Sequence, residues 1–445
     1  MSKPTPISGF PEWTPGQRMV EQFVLDRIRA TFELYGFAPL ETRAVEPLDQ
    51  LLRKGETSKE VYVIRRLHAD ADGAGGDDQL GLHFDLTVPF ARYVLENAGK
   101  LAFPFRRYQI QKVWRGERPQ EGRYREFVQA DIDIVDRDTL APHHEAEMPL
   151  VIGDALRSLP IPPVTIQVNN RKINEGFYRG IGLTDPEAAL RAVDKLDKIG
   201  PAKVAELLAQ TAGASEAQAK ACLALAEISA PDASFADAVR ALGVSDPLLD
   251  EGIEELVRVV ETAAEHSPGL CLADLRIARG LDYYTGTVYE TQLRGFERFG
   301  SICSGGRYDN LASAGATSYP GVGISIGVTR LLGLLFGAGQ LPVSREVPTA
   351  VLVAVTGEER RTASNRVAEA LRRRGVPTEV SPSAAKFGKQ IRYAERRGIP
   401  FVWFPGVDGA PDEVKDIRSG EQVTAVAGEW MPPREDVTPR VGEAS

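Results

Sequence analysis

The sequence predicts an α+β fold: an antiparallel sheet flanked by helices, broken by a helical insertion and followed by a small α/β domain. Three observations predict it. Two apolar strands, 108–115 and 127–135, are joined through a charged loop, 116–126, as a long hairpin. From 184 to 268 alanine becomes abundant, aromatics nearly vanish and helices alternate with breaks. Beyond residue 346 strands and helices alternate again, the pattern of a small α/β unit.

The elements follow in order. Val20, Phe23, Val24, Ile28, Phe32 and Leu34 recur near helical spacing within 11–36, and Gly36 is placed to stop that helix. A strand follows at 37–40. The Gly-, Asp- and Ala-rich stretch 68–80 has the composition of a hairpin tip or loop. A strand at 82–84 leads into a helix over 88–97, opened by Thr87 and Pro89. Ile110, Val113 and Trp114 carry one strand of the hairpin; Phe127, Ile132, Ile134 and Val135 carry the other. A helix at 144–156 and a strand at 164–168 precede the insertion, whose best helices are 197–208, 215–228 and 250–263. Strand character returns at 272–275, 287–293, 301–303 and 321–326, and a helix begins at 328. The last unit reads strand 350–355, helix 358–374, strand 378–380, helix 385–397 and strand 401–404.

With 445 residues the chain is long enough for two to four domains at roughly 100–200 residues each. Its 43% hydrophobic and 26% charged content is that of an ordinary globular chain, so each part can bury a core. Residues 1–14 are polar and Pro-rich, unlike a secretory signal, and no apolar run approaches the roughly 20 residues that span a bilayer. No membrane association is expected. Cys222, Cys271 and Cys303 lie far apart with no CxxC pair, which disfavours a disulfide scaffold or a zinc cluster and fits a reducing, cytoplasmic setting. The histidines form no HExxH, and His143–His144 reads as a surface or satisfied core pair; no protein-held metal is expected. A net charge of −9 argues weakly against nucleic acid, but local patches decide.

Four constellations carry chemistry. RGERPQEGRYR at 115–125 puts four arginines on the hairpin loop. It is either a solvated, salt-bridged loop or a phosphate grip, and Arg115, closing an apolar strand, favours the grip. Gln129, Asp131 and Asp133 alternate with Ala130 and Ile132, so period two sets all three on one sheet face. That face is either water-facing or a pocket floor for a cationic or hydrogen-bonding ligand. RGLDYYTGTVYE at 279–290 has the polar tips and apolar rings that orient a small ligand. A glycine-punctuated strand, 321–326, runs into an apolar helix whose one early cation, Arg330, needs an anionic partner, a phosphate or a core carboxylate. Gly305-Gly306-Arg307-Tyr308 reads as a further glycine turn. There is no GxGxxG fingerprint after a strand and no GxxxxGK[ST], which argues against a dinucleotide fold or a P-loop ATPase.

In this order these segments resemble the class II aminoacyl-tRNA synthetases, and most closely the histidyl-tRNA synthetase family. Residues 114–127 look like motif 2 and 321–336 like motif 3. Residues 84–92 look like the segment that holds the substrate's amino group, and 279–290 and 304–309 look like the two histidyl signatures. The resemblance covers nearly the whole chain. It implies ATP-dependent ligation of L-histidine to its tRNA through a histidyl-adenylate, with Mg²⁺ on the pyrophosphate and a homodimer as the assembly. It also implies a division into catalytic core 1–183 and 269–336, insertion 184–268 on the acceptor stem and linker 337–347. Residues 348–430 would be the anticodon-binding domain and 431–445 a frayed tail. Arg115 would hold the ATP α-phosphate and substrate carboxylate, Glu117 the adenine side, Arg123 a phosphate and Arg330 the γ-phosphate. Asp85 and Thr87 would bind the histidine ammonium, and Gln129 and Asp133 the amino-acid end and imidazole. Tyr284 and Tyr308, with Tyr283, would wall the imidazole, and Arg279 would lie against the α-phosphate. Two departures stand out: Pro47 is displaced from its motif 1 place, and Thr329 stands where an acidic residue often precedes the motif 3 arginine. The rival readings are a histidine-sensing regulatory paralogue without catalysis, and a synthetase for threonine, proline or glycine.

Overall fold

The computed structural model describes residues 5–52, 60–65, 79–277, 284–314 and 317–442. Arg279, Tyr283 and most of the 68–80 loop lie outside the described residues. The chain forms two compact units, Met1–Pro11 with Leu25–Leu334, and Glu12–Val24 with Leu335–Ser445.

The larger unit takes the second half of helix α1 (Pro15–Leu34) and strand β1 (Ala38–Pro39). Strands β2 (Val45–Pro47), β3 (Val63–Ile64) and β4 (Leu80–Leu82), with short helix α2 (Leu48–Leu51), make a small sheet in the order β2-β4-β3. Helix α3 (Thr87–Asn97) leads to the hairpin β5 (Phe105–Trp114) and β6 (Glu126–Val135). Helix α4 (His143–Arg157), strand β7 (Val164–Asn170) and helix α5 (Arg171–Gly180) come next. Then come α6 (Pro186–Val193), α7 (Leu196–Ala212), α8 (Glu216–Ala226), β8 (Ser229–Ala230), α9 (Ser234–Arg240) and α10 (Pro247–His266). The chain closes the unit with β9 (Cys271–Asp274), β10 (Thr287–Leu293), β11 (Cys303–Tyr308), the β12–β13 ribbon (Ser313–Ala314, Thr317–Ser318), β14 (Gly321–Gly327) and α11 (Val328–Gly337).

Among the described residues nine strands join into one sheet, ordered β1-β5-β6-β14-β11-β10-β7-β9-β8. From β5 to β7 every neighbour is antiparallel; β1 and β9 add parallel pairs at the flanks. Period two sorts the faces. Tyr108, Ile132, Ile324, Gly305, Tyr289 and Val168 stand in one register row on the apolar face. Helices α1 and α4 bind this face: Phe32 meets the Tyr108 ring at 6.0 Å, Tyr108 donates to Glu33 at 2.7 Å, and Arg106 forks onto Glu147 at 2.8 and 2.9 Å. Each aliphatic side chain fully buried there contributes roughly 1.5–3 kcal/mol. Cys222, Cys271 and Cys303 are buried, and burial raises all three thiol pKa values, to about 12 for Cys222 and Cys271.

Two expectations change here. The glycines at 305–306, read as a turn, sit mid-strand in β11. A Cβ on Gly305 would lie 2.1 Å from the Gly323 carbonyl oxygen, so the strands close only over a bare backbone. And α10, read as part of the insertion, packs on α4 and α5. Gly176 and Gly252 allow the approach, for a Cβ on either would lie 2.3 Å from Leu249 N or 2.7 Å from Ile173 N. Lys172 then reaches Glu251 and Glu255 at 2.7 and 2.5 Å. The caps of the helical stretch are sequence-local: Asp185 accepts from Ala188 N, Ser215 and Gln218 form a capping box, and Asp246 with Pro247 opens α10.

The smaller unit builds a five-stranded sheet among its described residues, in the order β16-β15-β17-β18-β19. Its elements are β15 (Val351–Val353), α12 (Arg361–Arg373), β16 (Thr378–Val380), α13 (Phe387–Arg397), β17 (Phe401–Phe404), β18 (Glu413–Asp416), β19 (Gln422–Thr424) and α14 (Arg434–Val437). Trp403, Leu371, Val351 and Phe401 fill its core. Within the stretch expected to fray, the described residues up to 442 make bonds to the rest of the unit. Arg418 forks onto Asp436 at 2.8 and 2.7 Å, and Ser344 N and Gly442 N donate to Arg440 O and Pro342 O. A charged composition cannot reveal a partner such as Ser344 for Arg440, 96 residues away. Among the described residues no helix is long and apolar enough to cross a membrane.

Gly305→Ala forces overpacking between β11 and β14, so we expect a loss of roughly 1–3 kcal/mol in urea denaturation. Gly388→Ala, whose Cβ meets nothing within 4 Å on α13, should cost nothing.

Candidate active site

The second face of the large sheet is polar in its middle. Gln109, Asp131, Ser325, Ser304, Glu290 and Gln167 align in register across six antiparallel strands. In the next row stand Arg107, Asp133, Gly323 and Gly306. The two glycines cut a notch. A Cβ on Gly323 would lie 2.1 Å from Asp133 Oδ1, and one on Gly306 would lie 2.8 Å from the Tyr284 ring. Above the notch Thr87, Asp131, Asp133, Tyr284, Tyr308 and Ser325 line a small cleft.

Asp133 is 2% exposed and doubly held: Tyr308 donates its hydroxyl to Oδ1 at 2.6 Å, and Arg107 meets Oδ2 at 2.6 Å. Arg107 is itself 0% exposed, with its guanidinium 4.3 Å from the Phe90 ring centroid. Burial keeps the Tyr308 hydroxyl protonated, its pKa well above the ordinary tyrosine value, and the Asp133 charge adds to the rise. Two residues along, Asp131 is 3% exposed. Burial raises its pKa to about 7, opposed by Arg107 and assisted by the Asp133 charge. Gln129 gives its amide to Ser325 at 2.5 Å, and its Oε1 has no hydrogen-bond partner. At the rim, Asp85 Oδ1 accepts from Val88 N at 3.0 Å at the start of α3, where Thr87 is the first helical residue. His83, beneath this segment, bonds Lys112 O at 2.7 Å, and burial lowers its pKa.

The arginine loop extends the β5–β6 ladder. Arg115 N bonds Arg125 O, and Gln120 and Arg123 exchange backbone bonds around Gly122, whose φ of +71° favours glycine. Gly9 O receives both Arg125 N and Glu126 N, so the N-terminal segment pins the loop. Arg115 donates Nε to Phe84 O at 3.0 Å, and its guanidinium stands 5.1 Å from the Phe127 ring centroid. Glu117 lies 3.9 Å from Arg115 and 3.6 Å from Arg123, loose pairs that leave both cations able to take an anion. Burial raises the pKa of nearby Glu60, and the Glu117 charge adds to it. The loop leans on α11: a Cβ on Gly122 would lie 3.0 Å from Leu334, and the Tyr124 hydroxyl would crowd any side chain at Gly333. Arg330, on the first turn of α11, donates to the Phe299 carbonyl. Thr329 accepts from Val128 N at 2.8 Å, so the hydroxyl ties the helix start to β6.

Thr87, Asp133, Tyr284 and Tyr308 therefore line one cleft, Gln129 bonds Ser325 of its wall, and Asp85 caps the start of α3 two residues before Thr87. Arg115, Glu117 and Arg123 stand on the adjoining hairpin, and Arg330 on the helix under it. Sequence reasoning gave no role to Arg107 or Ser325, quoted Ser304 only within a signature, and set Asp131 on the candidate pocket floor without assigning it a ligand group. A signal existed for Arg107: it alternates with Tyr108 and Ile110 in step with Gln109 and Gln111, the same period that marked β6.

The profile of the family described as Histidyl-tRNA synthetase matches residues 9–331, and that of an anticodon binding domain matches residues 350–426. The chain belongs to the histidyl-tRNA synthetase family. The histidine–tRNA ligase of Cutibacterium acnes is 61% identical over 450 residues, covering 99% of each chain. That of Micrococcus luteus is 59% identical over 456 residues and covers 100% of each. The crystal structure of histidyl-tRNA synthetase from Nostoc sp. PCC 7120 superposes with a TM-score of 0.85 at 35% identity, covering 96% of this chain and 97% of that one. The antiparallel sheet flanked by helices, with a C-terminal α/β unit, is thus the histidyl-tRNA synthetase fold the sequence resembles.

Arg107→Met would leave Asp133 buried and uncompensated. We expect a loss of roughly 3–5 kcal/mol in urea denaturation, against little change for Arg191→Met on the exposed side of α6.

Proposed function

We propose that the chain ligates L-histidine to its tRNA in an ATP-dependent reaction that passes through a histidyl-adenylate. The observation that carries this is the carboxylate and tyrosine cleft beside an arginine-bearing hairpin, in a chain alike over its full length to enzymes called histidine–tRNA ligase. In the proposed reaction the histidine carboxylate attacks the ATP α-phosphorus and pyrophosphate leaves. Arg115 and Arg279 meet the charge that grows on the α-phosphoryl oxygens, Arg123 and Arg330 hold the tail phosphates, and Glu117 receives the adenine side. Fixed cations aimed there lower the barrier electrostatically, and a shared site supplies proximity. Mg²⁺ would arrive with ATP on its pyrophosphate oxygens. Among the described residues no group of three or more His, Cys, Asp or Glu side chains is placed to hold a metal.

Asp85, Thr87 and Gln129 take the ammonium end of histidine; Asp133, Tyr308, Tyr283 and Tyr284 take the imidazole. A buried carboxylate and hydroxyl matched to an imidazole are left unpaired by an apolar amino acid, and such rejection reaches roughly 10⁴-fold. The 3′-terminal adenosine hydroxyl of the tRNA then attacks the adenylate, with the helical insertion on the acceptor stem and the C-terminal unit on the anticodon. Support for the latter comes from the cations of that unit. Arg360, Arg361, Arg373 and Arg397 pair with carboxylates of their own unit, and Arg372 and Arg374 bond carbonyls. Arg366, Lys386, Lys389 and Arg396 are exposed and make no ion pair with another described residue, which suits phosphate contact. A cytoplasmic homodimer completes the proposal.

ATP–pyrophosphate exchange tests the chemistry. We expect exchange with histidine alone among the amino acids, reduced 100-fold or more in Arg279→Ala, on the order seen when one transition-state donor is removed. Measurable histidine binding without exchange would favour a regulatory paralogue, and exchange with another amino acid would refute the pocket assignment. Separately, Lys386→Glu with Lys389→Glu should raise the KM for tRNA and leave exchange unchanged.

A further inference from the structure

The cleft holds more acid than its architecture uses. Asp133 has its charge answered: Arg107 stands 2.6 Å from Oδ2 and the Tyr308 hydroxyl 2.6 Å from Oδ1. Asp85 spends Oδ1 on the start of α3. Asp131 differs. It lines the cleft, is 3% exposed, takes a hydrogen bond from Ser325, and has an Oδ1 without any hydrogen-bond partner. Two residues away Gln129 Oε1 is equally unpartnered. Two buried acceptors on one strand face, both wanting donors, describe a socket for a group rich in N–H. A buried acceptor left unmade costs roughly 1–3 kcal/mol, so a ligand that supplies the donors recovers that cost.

Resting on the reading of this cleft as a histidine site, we propose that Asp131 receives the ammonium of the bound amino acid and ionises as it does so, releasing a proton to solvent. The charges facing Asp131 are Arg107 on β5, Asp133 beside it on β6 and Asp85 before α3, with Ser325 on β14 and Ser304 and Tyr308 on β11 as polar neighbours. Arg107 is already committed to Asp133, so the local balance holds one cation against the carboxyls. A further carboxylate is tolerated there only when a further cation arrives. In the empty site burial raises the Asp131 pKa to about 7. The carboxyl is therefore protonated below that pH and must lose its proton to pair with the ammonium. Ligand affinity rises as pH climbs through that range and levels off above it. Asp131 is thus a specificity residue: it demands a cationic amine and gains nothing from an amino acid analogue that lacks one.

Calorimetric titration with histidinol, which keeps the amine and imidazole but forms no adenylate, tests this. The ligand's own imidazole titration is common to wild type and variant and cancels in their ratio. We expect the affinity ratio of wild type to Asp131→Asn to grow about tenfold from pH 6 to pH 8. In two buffers of different ionisation enthalpy, wild type at pH 7 should release a fraction of a proton that Asp131→Asn does not. Ser325→Ala, which removes the hydroxyl that favours the ionised form, should move the wild-type midpoint upward in pH. Equal pH profiles in wild type and Asp131→Asn, or no difference in proton release, would overturn the assignment. Wild type that binds histidinol without proton linkage sinks this inference alone, whereas wild type that binds none sinks the histidine reading with it.

Discussion

The buried pair of Arg107 and Asp133 is the interaction on which the rest of this structure depends. Two charges removed from water cost several kcal/mol each unless geometry and further hydrogen bonds repay them. Here the repayment is specific: Phe90 lies under the guanidinium, Leu86 O accepts from it, and Tyr308 completes the carboxylate. Each partner comes from a different part of the chain. The pair therefore fixes how β5, β6, β11 and the segment entering α3 come together, and it does so beside the cleft. The same groups that make the site selective make the sheet's register costly to change.

Glycine does the complementary work. Gly323 and Gly306 leave room for the Asp133 carboxyl and the Tyr284 ring, and Gly305 lets β11 and β14 close on the opposite face. A sheet with side chains at these positions would be better packed and would have no cleft. The glycine positions thus mark where backbone entropy has been given up for a concave surface in the middle of a sheet, which a flat pleat does not otherwise offer.

Much of this was legible in the amino-acid order. The alternation of Gln129, Asp131 and Asp133 told which face of β6 was polar, and β10, β16 and β17 begin and end where apolar content predicts. The chain order of motifs pointed to the cleft and the arginine hairpin together. Other features were not legible, for physical reasons. Strand β11 runs through Ser-Gly-Gly, which lacks β-propensity, and pairs only because β10 and β14 flank it. Strands β8 and β19 are short edges, and β18 is a short, polar strand between β17 and β19. The Arg330 bond to Phe299, the Arg107–Asp133 pair and the Arg418–Asp436 clasp join residues 18 to 31 positions apart. No local pattern encodes such contacts, and the same holds for α10, whose docking on α5 depends on Gly176 and Gly252 meeting across the interface.

The three cysteines have a consequence for anyone who wishes to watch this molecule move. Each is buried, and burial holds each thiol in its protonated, poorly nucleophilic form. Maleimide and iodoacetamide dyes should pass over all three in the folded chain. A single cysteine introduced at an exposed loop position would then carry a fluorophore or spin label against a silent background, with no native thiol to be removed first.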